Sequence, residues 1–91
     1  MSSPVYISLL ETAKLELAGA EGRLATARQN YRAFVEEHGV IIDGLLIYSP
    51  APSPQMRMSL DDERDSLETE IDASLRQVAH CRGEIEILRV G

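Results

Sequence analysis

Two histidines, one cysteine and a dense run of carboxylates are the side chains whose types most readily suggest chemistry in this 91-residue chain. A zinc or other metal centre needs several ligands that converge at fixed spacing. His38 and His80 belong to different halves of the chain, and neither sits in a zinc-type spacing. Cys81 and Glu84 are near His80, but a helix through this stretch turns those two to different sides. The carboxylates of 61–72 lack a cleft that would desolvate them and shift their pKa values. No glycine-rich phosphate loop, plausibly placed Ser/His/Asp set or zinc-finger spacing occurs. The chain therefore reads as a non-enzyme, with no catalytic, metal or cofactor residues to assign.

What the sequence does specify is the pair of elements that must carry any function. Leu10, Leu17, Leu24, Tyr31 and His38 recur at position a of a heptad, with Ala13, Ala20, Ala27 and Phe34 at d. In the second half, Arg64, Ile71, Val78 and Ile85 fall at a, with Leu60, Leu67, Ser74, Cys81 and Leu88 at d. Antiparallel helices place a opposite d. Residues whose numbers sum to 98 then pair as Ala13–Ile85, Leu17–Cys81, Ala20–Val78, Leu24–Ser74 and Ala27–Ile71. Each layer sets a large side chain against a small one, which keeps the core volume even. The expected fold is all-α: an antiparallel two-helix coiled-coil hairpin forming one domain.

The helices are expected over 4–38 and 60–90. Ser3-Pro4 supplies an N-cap and a first-turn proline for the first. Gly39 is expected to end it in a left-handed conformation. Ser59 with Asp62 resembles a capping box for the second, whose first turn would hold Asp61, Asp62 and Glu63 near the positive end of the helix dipole. Between them, 40–48 is an apolar tip built around Asp43-Gly44, the signature of a β-hairpin. Residues 49–58 form a linker kept extended by Pro50, Pro52 and Pro54. Such a long connection is usually functional or disordered, and its apolar content argues against disorder.

The formal charge of −6 arises within Asp61–Asp72, where Asp61, Asp62, Glu63, Asp65, Glu68, Glu70 and Asp72 face only Arg64. Direct binding to nucleic acid or an anionic membrane is disfavoured, because both need clustered Lys and Arg. No stretch has the length and apolarity of a membrane span. No secretory leader is legible at the N-terminus, and Cys81 has no intramolecular partner. Together these point to a cytoplasmic protein.

Two helices touching along one seam bury little surface against the entropy of ordering them. A homo-oligomer, assembled as a helical bundle, or a protein partner is expected to supply the rest. The candidate interface is Val40, Ile41, Ile42, Leu45, Leu46, Ile47 and Tyr48, which either caps the helix pair or docks elsewhere. Gly19 and Gly22, with Leu15, Ala18, Ala25 and Thr26, form a second candidate face. In the same frame Glu16 lies near Glu84 and Glu37 near Glu63, like charges without internal partners.

The expected function is a non-catalytic protein–protein interaction module, an adaptor or small inhibitor that covers a partner surface. One alternative is an acidic inhibitor that mimics nucleic-acid charge on a basic, nucleic-acid-binding partner. The other is an oligomeric small-ligand sequestering protein using Tyr6, Lys14, Arg28 and Arg32.

Overall fold

The computed structural model describes residues 4–90, with side chains from residue 7 onward. It is mostly helical: α1 spans Pro4–His38, β1 Gly39–Ile42, β2 Leu45–Tyr48 and α2 Pro54–Val90. The two helices pack against each other as a rod with extents of 65 × 23 × 15 Å.

The heptads dictate this packing. Every a and d position from Leu10 to Leu88 is buried or half-buried. Outside the seam, the only described helical residues not exposed are Val35, Asp61 and Glu84. Ala20, Leu24, Val78 and Cys81 form the central cluster, with Leu17 and Ile71 packed against it. These six side chains come from four of the five expected layers. Ala20 is 0 % and Cys81 1 % exposed, so the small members of the layers are the most completely enclosed.

α1 ends where expected but by different means. Gly39 is the first residue of β1, and the only positive φ values among the described residues are at Asp43 (51°) and Gly44 (79°). Glycine is needed at 39 for close approach: a Cβ there would collide with the Ile47 carbonyl oxygen. The His38 carbonyl, freed by the end of the helix, accepts a 2.9 Å hydrogen bond from the Ser49 N–H.

α2 starts six residues earlier than the expected 60. Ser53 is its N-cap: its Oγ accepts a hydrogen bond from the Met56 N–H at 3.3 Å, and its carbonyl accepts one from the Arg57 N–H at 2.8 Å. Pro54 occupies the first helical position, where a missing N–H costs nothing. The extended linker therefore covers only 49–53, not 49–58, and contains a cis Ser49–Pro50 peptide. Ser59 is inside the helix rather than its cap. Asp61, Asp62 and Glu63 sit beyond the first turn, which holds no acidic residue, so the helix dipole does not explain them. Ser3 lies outside the described residues.

Candidate docking surface

The tip is a β-hairpin because its sequence allows little else. Asp43 and Gly44 both take positive φ, the requirement of a tight two-residue turn. β-Branched and leucine side chains on either side then pair as Gly39↔Tyr48, Val40↔Ile47, Ile41↔Leu46 and Ile42↔Leu45. Side chains alternate along a strand, so Val40, Ile42, Leu45 and Ile47 share one face and Gly39, Ile41, Leu46 and Tyr48 the other.

The two faces differ. On the inner face Leu46 and Tyr48 are half-buried. The Tyr48 ring meets Phe34 edge-on, with centroids 6.5 Å apart, and Phe34 lies 4.9 Å from the His38 ring. The Tyr48 hydroxyl donates a 2.7 Å hydrogen bond to Asp61 Oδ1. Desolvation first, and then the bond to Asp61, raise the Tyr48 phenol above its ordinary value of 10.0. The inner face thus covers the end of the seam at Phe34 and fastens the hairpin to α2.

On the outer face Val40, Ile42, Leu45 and Ile47 are all exposed, Leu45 to 68 %. Ile41 is exposed as well. Capping thus falls to Leu46 and Tyr48 of the inner face, while the outer face and Ile41 stay exposed.

Beneath the hairpin, Arg64 has three carboxylate neighbours, Asp61, Asp65 and Glu68, each at 3.9 Å. Its buried Nε has no hydrogen-bond partner. The Tyr31 hydroxyl donates a long, 3.5 Å hydrogen bond to Glu68 Oε1, and desolvation followed by the Glu68 charge raises its pKa. Asp62, Glu63, Asp65, Glu68, Glu70 and Asp72 are exposed, while Asp61 is partly covered. Asp72 pairs with Arg76 at 2.9 Å, so part of the acidic segment is answered within its own helix.

The Gly19 and Gly22 face is open: a Cβ at either would meet nothing within 4 Å. Both glycines line a shallow depression of about 560 Å3 with Thr26 and Asn30. At the opposite end from the hairpin lies an apolar groove of about 320 Å3, formed by Leu9, Thr12, Ala13, Ile87 and Leu88 and flanked by Glu16 and Glu84. That common groove places the two glutamates where the 98 frame put them.

His80 bonds Glu84 at 2.9 Å on the surface, while Cys81 is turned into the core. Among the described residues no group of three or more His, Cys, Asp or Glu is placed to hold a metal ion. Nor is any described helix long and apolar enough to cross a membrane. No protein-family model, curated protein or solved structure matches the chain.

Sequence reasoning picked out the tip but missed its anchor, Tyr48–Asp61, and the groove at the open end. Leu9 and Ile87 lie off the seam in both heptads, and that was the available signal.

Proposed function

We propose that this protein is a non-catalytic protein-interaction module, an adaptor or small inhibitor that acts by covering another protein's surface, with the outer face of the β-hairpin as its docking surface. The observation that supports this most is the exposure of Val40, Ile42, Leu45 and Ile47 side by side. Soluble monomers rarely leave contiguous aliphatic patches in water. The hairpin is held from behind by Tyr48 and Phe34, so its outer face is presented on a fixed support and little ordering entropy opposes binding. Capture of a target by the intact chain, compared with an Ile42→Thr/Leu45→Thr/Ile47→Thr variant, tests the reading. Threonine keeps the strand propensity while removing apolar surface. Loss of the target with helical circular dichroism intact is the expected result; full retention of the target would refute it.

A second reading draws on the exposed acidic segment, Asp62 to Asp72, as a surface for a basic partner, including one that normally binds nucleic acid. Affinity for such a partner would fall steeply with ionic strength. A salt-independent complex would exclude it.

A further inference from the structure

The exposed aliphatic side chains are gathered at the two ends of the rod. Val40, Ile41, Ile42, Leu45, Ile47, Met56 and Met58 lie at the hairpin end, and Ile7, Leu9, Leu15, Ile87 and Val90 at the other. Leu75 is the single large exposed hydrophobic between them among the described residues. We infer that the hairpin's occupant is a second copy of this chain, lying antiparallel beside the first, so that each hairpin rests on the other copy's open-end groove at Leu9, Thr12, Ala13 and Ile87. This rests on the reading of the hairpin as a docking surface and specifies what covers it at rest, a second copy that a target must displace.

Charge selects the orientation. Residues 25–73, the hairpin half, hold ten acidic and four basic side chains, and the remaining residues hold five of each. Copies joined hairpin to hairpin, or lying parallel, bring two strongly acidic halves together. An antiparallel pair sets each acidic half beside a neutral one that offers Lys14, Arg23, Arg76, Arg82 and Arg89.

Area points the same way. The largest apolar patch that a soluble monomer leaves in water is roughly 300–600 Å2. One such contact is too small for a stable complex. A two-fold arrangement uses both ends of both copies, and roughly 800 Å2 per copy is the size of a standard interface. The two apolar regions lie at opposite ends of a 65 Å rod, so a two-fold axis across its middle brings each hairpin end to the other copy's groove end.

Sedimentation equilibrium on the intact chain tests the arrangement. A dimer is expected, and Ile42→Asp and Ile87→Asp, at opposite ends and both exposed, should each weaken it at least ~10-fold, with helical circular dichroism unchanged. Oxidising a mixture of Leu45→Cys chains with Thr12→Cys chains should give the mixed disulfide; Cys81, 1 % exposed, can stay in place. A monomer at all concentrations, a dimer indifferent to Ile87→Asp, or predominant Leu45→Cys self-crosslinking would each overturn the inference. A monomer whose threonine hairpin variant still loses its target would sink the dimer and leave the docking reading standing.

Discussion

The seam and the hairpin are made from the same aliphatic residue types, yet one is dry and the other is half in water. In the seam, Leu24, Val78 and Ile85 are enclosed because small partners, Ser74, Ala20 and Ala13, let the helices approach closely. In the hairpin, four residues of equal hydrophobicity share a face that none of the described elements covers. Hydrophobicity alone does not separate a core from a docking surface. What separates them is whether the chain supplies a complementary surface at the same place.

That contrast can be broken from either side. The largest effect is expected in the seam, where Leu24→Ala should destabilise the fold by about 2–5 kcal/mol, read from the urea midpoint of helical circular dichroism. A much smaller loss would mean that the helices re-register. Next comes the link between the regions. The Tyr48 pKa is raised on folding, so its contribution to stability is fully present below about 10 and is lost as pH rises through the higher folded value. Alkaline titration of tyrosinate absorbance should therefore show two phenols ionising above the ordinary value, Tyr48 and Tyr31, and Tyr48→Phe should remove one of them together with its share of the stability loss. Ser53→Ala, which deletes the α2 cap, should cost about 1 kcal/mol in the same urea assay. The smallest effect on stability is expected at Leu45→Thr, within about 0.5 kcal/mol, because the side chain is already exposed. A large destabilisation there would make the outer face part of the core and dissolve the contrast.

Much of the seam was legible because helix periodicity and a single antiparallel frame constrain many residues at once. The Asp43-Gly44 turn was legible for a local reason, since few dipeptides tolerate two successive positive φ values. The start of α2 was harder to read. Three prolines on alternate residues look alike, and a Ser-Pro pair occurs twice among them, at Ser49-Pro50 and Ser53-Pro54, so the pair alone does not choose the start. Gly39 misled for a related reason: a glycine after a helix suggests a left-handed turn, whereas this one makes room for the carbonyl of Ile47. The division of the hairpin into an anchored and an exposed face was not legible. It depends on Tyr48 reaching Asp61 across the linker, a contact that no local pattern encodes.

The position of Cys81 has a practical consequence. Its thiol is sealed between the rods, so a maleimide or nitrobenzoate reagent can reach it only when they part. The labelling rate of the unmodified chain is then a clock for that parting, slowed by whatever holds the rods together and needing no engineered probe.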